Sequence, residues 1–434
     1  MKNLISTIRN TLIFLLLYGM FSETYAQDHI HHLEPSTEPL HVRVVFQQNP
    51  ATEVTISWTT TGEGSASVIY YDTEPRNGVA DEYTYRSEEI TTGPYTLLSE
   101  EEEAGMHSWY HHAVLEDLEP STTYYILVET DGDRSDEYHF ITAAEDGRDV
   151  AILVGGDSRV GDQRTDPNNP RRQMYRVMSD LLEENPHILA LAYTADYTNR
   201  AYWSQLFYWL NDYTELSTTS DGRLLPIVPS RGNHDTDVGF EEKFNWPGED
   251  GVDSYYTSHL SDEVALVVLN STISLRGDQR EWLEDQLSDL RPQKRWIMPF
   301  YHHPAYPSVR SYSSGQPRRG SWVPLFEQYN VDIVAEGHDH ALKRTVPIRA
   351  NEIDPSGIVY IGDGGLGVST REVVPQRWYL EEPGMTKSVD NVHLLEFTRD
   401  AIIGKGIGNQ GEVIDEFYIP SDRQERIEHF DNEL

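Results

Sequence analysis

Five short segments in the C-terminal two thirds of the chain each carry a hard metal-ligand side chain, four of them beside glycine or proline. They read Gly-Gly-Asp157-Ser-Arg159, Ala-Asp196-Tyr-Thr-Asn199, Arg-Gly-Asn233-His234-Asp, Tyr-His302-His303-Pro304 and Gly-His338-Asp-His340. Together they offer carboxylate, amide oxygen and imidazole from five separate loops, the donor set of a two-cation hydrolytic centre. Such a centre lowers the pKa of bound water to about 7 and neutralises phosphoryl oxygens, so the chemistry expected is phosphate-ester cleavage. Asp196 is the candidate bridging carboxylate. Asp157 and His340 are assigned to a first ion, and Asn233, His302 and His338 to a second. His234, next to a ligand but facing substrate, is the candidate general acid for the leaving alkoxide. Each residue also has a plainer reading: Asp157 as a helix cap, Asn233 with Asp235 as a turn, the histidines as core or surface side chains. The ordered set of five is what favours the metal reading.

Hydrophobic period identifies the elements that must carry these residues. Residues 40–144 read as all-β, with period-two runs such as Val54-Thr55-Ile56-Ser57-Trp58 and Ser67-Val68-Ile69-Tyr70-Tyr71 between turn residues. The Leu118-Glu-Pro120 turn and the Tyr124-Tyr125 strand after it resemble a fibronectin type III module, which implies a seven-strand sandwich. The acidic run Glu100 to Glu103 is expected at an exposed hairpin tip. From residue 150 the pattern changes. Val150 to Val154 is a continuous apolar strand ending in glycines and Asp157. Residues 171–184 carry Met174, Val177, Met178, Leu181 and Leu182 on one helical stripe. Apolar strands recur at Ile188 to Ala192, Leu225 to Val228, Val264 to Leu269, Trp296 to Phe300 and Val331 to Val334, with helices between, notably Gly277 to Leu290. That alternation implies α/β layering, with the candidate ligands at the carboxyl ends of the strands.

Lys2 and Arg9, the short apolar run Leu12 to Leu17 and the small-residue site at Thr24-Tyr25-Ala26 read as a secretory leader over residues 1–26. Export to the periplasm or beyond the cell is therefore expected. Cysteine is absent, which excludes a disulfide framework and a lipid anchor on cysteine. No other segment approaches ~18 uninterrupted apolar residues, so no membrane span is expected. The formal charge of −38 repels nucleic acid polymers and anionic membrane surfaces. It also repels phosphate esters, so the site needs local positive charge, which bound cations supply. The expected partner is a small phosphate-ester substrate; the oligomeric state stays open.

The site segments and several others resemble the calcineurin-like metallophosphoesterase superfamily, in its purple acid phosphatase branch. The further segments are Tyr255-Tyr256, Val267 to Ser271 with Asn270, Gln279-x-x-Trp282-Leu283, His302-x-Pro304-x-Tyr306 and Ile361-Gly-Asp363-Gly-Gly365. The resemblance covers about residues 40–415 and implies a four-layer α/β/β/α sandwich preceded by an all-β fibronectin type III-like sandwich. It divides the chain into a leader (1–26), a tail (27–39), the all-β domain (40–144), the catalytic domain (145–418) and a C-terminal tail (419–434). It implies two divalent or mixed-valence ions of Fe, Zn or Mn, and phosphomonoester hydrolysis ahead of diester hydrolysis.

Two positions depart from that pattern. Most of the superfamily has a histidine two residues after the first aspartate, and the purple enzymes instead place a tyrosine three after the bridging one. Here these positions hold Arg159 and Asn199. Arginine cannot deprotonate to ligate, Asn199 offers one weak oxygen, and Tyr197 is expected to point away. The first-ion site is therefore expected to be weakened and uncoloured. Arg159 is read either as a fork on the substrate phosphate or as the partner of a carboxylate such as Asp162. The segment Arg310 to Arg319 is read as a solvated loop or a lid, and Tyr202, Trp203 and Trp209 as an aromatic wall or as packing. A diesterase acting on nucleotides or lipid head groups, and a surface-binding protein with a relict site, are the rival readings.

Overall fold

The computed structural model describes residues 32–161, 166–200, 202–235, 240–246, 254–362, 364–422, 425, 426 and 429. The leader, Asp162 and Asp363 lie outside the described residues. Two mixed sheets dominate, and the parallel strands at the centre of each are ones that apolar runs announce.

The first third is all-β: β1 (Leu40–Val45), β2 (Val54–Thr60), β3 (Ser67–Asp72), β4 (Tyr85–Ser87), β5 (Ile90–Pro94), β6 (Trp109–Leu115), β7 (Thr123–Thr130), β8 (Asp133–Arg134) and β9 (Tyr138–Ile141). Strands β1, β2, β6 and β5 pack against a sheet ordered β4-β3-β7-β8, with β9 also on β7. Trp58, Ile69, Ile126 and Phe140 fill the space between them. The sandwich thus has nine strands where seven were expected, because short edge strands and a tight β7–β8 hairpin extend both sheets. The run Glu100 to Glu103 is exposed at Glu100, Glu102 and Glu103, but it is not a hairpin tip. It lies in a helical turn, α1 (Ser99–Glu103), where Glu101 is fully buried and accepts from the backbone N–H groups of Leu98 and Ser204.

The rest of the chain is layered. Strands β10 (Val150–Gly155), β11 (Ile188–Tyr193) and β12 (Ile227–Pro229) run parallel to one another. Helices α2 (Pro170–Glu184) and α3 (Trp203–Leu216) belong to the same half, and α4 (Phe240–Phe244) follows. A second sheet is built on β13 (Tyr256–His259), β14 (Val264–Val268), β15 (Trp296–Tyr301) and β16 (Ile333–Glu336), with β14, β15 and β16 parallel. Helices α5 (Asp278–Leu290), α6 (Gln316–Ser321) and α7 (Val323–Gln328) accompany it. Strand β17 (Leu342–Arg344), a small hairpin of β18 (Ile348–Arg349) and β19 (Glu352–Ile353), then β20 (Val359–Gly362) and β21 (Met385–Lys387) follow. The long antiparallel β22 (Asn391–Phe397), β23 (Ala401–Gly408) and β24 (Val413–Pro420) return to the first sheet beside β10.

Alternate side chains of the second sheet separate the two cores. Leu266, Val268, Met298 and Phe300 face the first sheet, while Ala265, Val267, Ile297 and Tyr301 face α5 and α7. The order is therefore helices, sheet, sheet, helices. One contact was not legible in the sequence: β1 lies parallel beside β12, so the N-terminal strands and the central strands form one ten-stranded sheet. Among the described residues no helix is long and apolar enough to cross a membrane.

The sandwich buries neutral histidines. Burial lowers His41 and His112 to about 3 and His111 to about 4, from 6.5. The unfolded chain therefore takes up these protons first. Their contribution is intact above pH ~6.5 and is lost as pH falls toward ~4, at a cost on the order of 1 kcal/mol per pH unit for each. The thermal midpoint is expected to drop between pH 7 and pH 5, with His112→Gln flattening the slope; equal midpoints at both pH values would contradict this.

Candidate metal centre

Five strand ends converge. Asp157 follows β10, Asp196 follows β11, Asn233 follows β12, His302 follows β15 and His338 follows β16, so the carboxyl ends of both parallel sets face one cleft. Asp157, Asp196 and His302 are fully buried and His340 is nearly so. Their backbones are bent to reach it: Asp157, Ala195, Asp196, His338 and His340 have φ of 56°, 78°, 58°, 82° and 62°. Such left-handed conformations persist only when neighbours hold them. Here the Asp157 N–H donates to the Ala195 carbonyl at 2.9 Å, and the His338 N–H donates to Asp157 Oδ2 at 2.7 Å.

Asp235 is the main brace. Its carboxylate accepts from the N–H groups of Asp196 (2.7 Å), Tyr197 (3.1 Å) and Gly232 (2.9 Å), closing the turn that presents Asp196. A side chain at Gly232 would collide with Asp196 Oδ1, so glycine is required there.

Within the cleft one donor set suits a cation. His302 Nδ1–H is held by the Thr194 carbonyl at 2.9 Å, which turns Nε2 inward. That nitrogen lies 3.1 Å from Asn233 Oδ1, 3.2 Å from Asp196 Oδ2 and 3.0 Å from His338 Nδ1. These are four potential ligand atoms facing one another, and Asp196 Oδ2, though buried, has no hydrogen-bond partner among the described residues. Burial opposes charge on the His302 ring, yet Asp196 and Asp157 outweigh it and lift the ring to about 9. Burial likewise opposes ionisation of Asp196, but His302 and Arg159 hold its carboxyl below the usual range. The set Asp196, Asn233, His302 and His338 therefore fits an oxygen- and nitrogen-ligated ion, which would displace that proton.

The first-ion set does not fit in the same way. Asp157, Asp196 and His340 do meet, with His340 Nε2 at 3.3 Å from Asp157 Oδ1. The Arg159 guanidinium, however, stands between them and Asn199.

His234 stands at the edge of this set. Its Nδ1 bonds to the Asn199 carbonyl at 2.7 Å, its Nε2 is 4.0 Å from Asp196 Oδ2, and its side chain is 34% exposed. The plainer readings resolve residue by residue. Asn169, not Asp157, caps α2, accepting from the Arg172 N–H. The Gly232–Asp235 turn exists, and it serves the site. Tyr197 points away, donating to the Ser230 carbonyl, and Trp203 and Trp209 are core packing. The segment Arg310 to Arg319 is not an irregular loop. It forms a 3-10 turn and α6, with the Arg319 guanidinium 3.7 Å over the Tyr312 ring.

Four further residues support these groups, and of them only Arg371 had no signal in the sequence. His303 bonds to Ser271 at 2.9 Å and stacks edge-on with His338. Arg310 and Arg371 both donate to the His338 carbonyl, at 2.8 and 2.9 Å. Gln279 accepts from the Asn270 N–H and donates to its carbonyl, which accounts for two of the matching segments.

Residues 39–142 match the purple acid phosphatase N-terminal domain, and residues 163–342 match the calcineurin-like phosphoesterase model. A purple acid phosphatase of Glycine max is 26% identical over 373 residues, 75% of this chain and 73% of that protein. The Fe(3+)-Zn(2+) purple acid phosphatase 12 of Arabidopsis thaliana is 24% identical over 367 residues, covering 79% of this chain and 75% of its own. A purple acid phosphatase from yellow lupin (Lupinus luteus) seeds shares the fold, with TM-score 0.73 and 17% identity over 91% of this chain and 76% of its own.

Replacing Asp235 by Asn should weaken its grip on the three N–H groups behind Asp196. Ion affinity, measured by competition with a coloured chelator, is expected to fall by roughly 10–100-fold. An unchanged affinity would show that the brace does not position the ligand.

Proposed function

Because the chain belongs to the purple acid phosphatase branch of the calcineurin-like metallophosphoesterases, hydrolases of phosphate esters, we propose that it is an exported phosphomonoesterase with His234 as general acid. The observation that carries this reading is the buried convergence of Asp196, Asn233, His302 and His338 beside a half-open His234.

An ion bound in that set supplies Lewis acidity and water activation. The chain's own residues do the rest. The Thr194 carbonyl fixes the His302 ring, and Asp235 fixes the Asp196 turn. The Asn199 carbonyl keeps a proton on His234 Nδ1, so the proton exchanged is the one on Nε2, which faces the cleft. That proton goes to the leaving alkoxide. His303, lowered to about 3 by burial and by the neighbouring His302, stays neutral at the mouth and offers a hydrogen bond without charge. Arg310 and Arg371, both beside His338, supply local positive charge in a chain of net −38.

We further propose the division at residues 40–144 and 145–418, supported by the change from all-β to alternating elements between β9 and β10. Export rests on the leader pattern of residues 1–26. A diesterase is the second reading, favoured by one observation: a guanidinium brings a single positive charge to the place of a multivalent ion, which suits a less charged ester.

The protein, metal-loaded, is expected to turn over an aryl phosphate faster than a bis-aryl phosphate; the reverse order would transfer the assignment to the diesterase. His234→Ala should lower kcat on an alkyl phosphate by about 10²–10⁴-fold, and much less on an aryl phosphate whose leaving group needs no proton. Equal losses on both substrates would remove the general-acid role.

A further inference from the structure

All the side chains assigned to a first ion are already engaged by one residue. Arg159 Nη1 donates to Asn199 Oδ1 at 3.1 Å, and Nη2 lies 2.9 Å from His340 Nε2. Its Nε is 3.2 Å from Asp196 Oδ2, and Nη2 is 3.9 Å from Asp157 Oδ1. The fit is chemical as well as spatial. His340 Nδ1 is bonded to the Ser369 carbonyl at 3.0 Å, so its proton sits there and the Nε2 lone pair is left to accept from the guanidinium. Asn199 supplies a neutral oxygen, which suits an N–H donor better than it suits a multivalent ion. The two positions that depart from the expected ligand pattern thus complete each other.

A guanidinium cannot lose its proton to become a ligand, and its charge opposes a metal ion in the same space. With its side chain 8% exposed among two fully buried carboxylates, Arg159 is also costly to expel, since Asp157 would then face Asp196 across the site with less compensation. The neighbouring set presents no such occupant among the described residues. There, His302 Nε2 lies 3.0 Å from His338 Nδ1 and 3.1 Å from Asn233 Oδ1, a spacing that suits ligands of one ion.

We propose that the protein holds a single metal ion, in the set Asp196, Asn233, His302 and His338, and that Arg159 is the fixed cation in place of a second. The inference rests on the metallophosphoesterase reading of this cleft. It deepens that reading by giving the site one mobile and one covalently attached positive group. Arg159 compensates the two buried carboxylates through Nε and Nη2 while Nη1 is held by Asn199.

The test is an ion count on the intact protein. The chain is loaded separately with Zn2+ and with Mn2+, freed of loose ions by gel filtration, and measured by elemental analysis. One ion per chain is expected, and the Mn2+ form should give the electron paramagnetic resonance spectrum of an isolated ion rather than an exchange-coupled pair. Two ions, or none, overturn the proposal. His338→Ala is expected to lose the ion, and an ion retained by that variant would overturn its placement. Arg159→His, which trades the fork for a ligand, is expected to gain a second ion. If it remains at one while keeping the wild-type circular dichroism, exclusion by Arg159 is overturned. Turnover is read separately. A one-ion protein that hydrolyses no phosphate ester removes the functional reading and leaves the single-ion site standing, whereas an active two-ion protein does the reverse.

Discussion

Two carboxylates without solvent, Asp157 and Asp196, impose the condition that the rest of the site satisfies. Burying a charge is tolerable only when an opposite charge and hydrogen bonds meet it. Asp157 is met by the His338 N–H and by His340, and Asp196 by the His234 N–H, by His302 and by Arg159. Most of these contributors come from different strand ends, so the carboxylates tie the two sheets together at their carboxyl edges. The same crowding buries negative charge where it holds the Arg159 guanidinium and the His302 ring in place.

The scaffold is correspondingly stiff. Behind the Asp157 loop, Arg171 donates to the Ser158 carbonyl and pairs with Asp212, which also takes Arg172, locking α2 to α3. Trp209 donates to Ser158 Oγ at 2.8 Å from the same side. Beyond His302, buried Glu336 accepts from Tyr301, from the Ala305 N–H and from Lys343, which fixes the chain as it leaves the cleft. The N-terminal sandwich takes part as well. Its β1 extends the first sheet past β12, Ser108 accepts from Trp203, and Glu101 accepts from the Ser204 N–H at the start of α3. A module that contributes strands and a helix-terminal acceptor is a structural flank of the catalytic half, not an appended bead.

Much of this was legible in the residues. The strands β10, β11 and β15 are buried at every position, and an unbroken apolar run has few other homes in an α/β fold. The ligand types were legible because imidazole, carboxylate and amide oxygen beside glycine are scarce outside turns and sites. Asp235 and His303 were harder to separate from their neighbours, since each adjoins a stronger candidate and acts through backbone or hydroxyl partners. The acidic run at Glu100 to Glu103 misled for a related reason. Composition marks it as solvated, yet Glu101 finds two N–H donors, one of them from α3 in the other half of the molecule.

By itself the sequence determined the layered α/β architecture after an all-β start, the five loops that carry the candidate ligands, and the residues Arg159 and Asn199 that depart from the pattern of the family it resembles. Those are properties of local period and of side-chain chemistry, which no folding can alter. Only the tertiary structure decided what Arg159 does. Its partners Asn199 and His340 lie 40 and 181 residues away, and whether a guanidinium reaches substrate, a loop carboxylate or an ion's place depends on where those distant backbones pass. The joining of β1 to β12 has the same origin, because sheet pairing is a contact between segments whose sequences carry no record of one another.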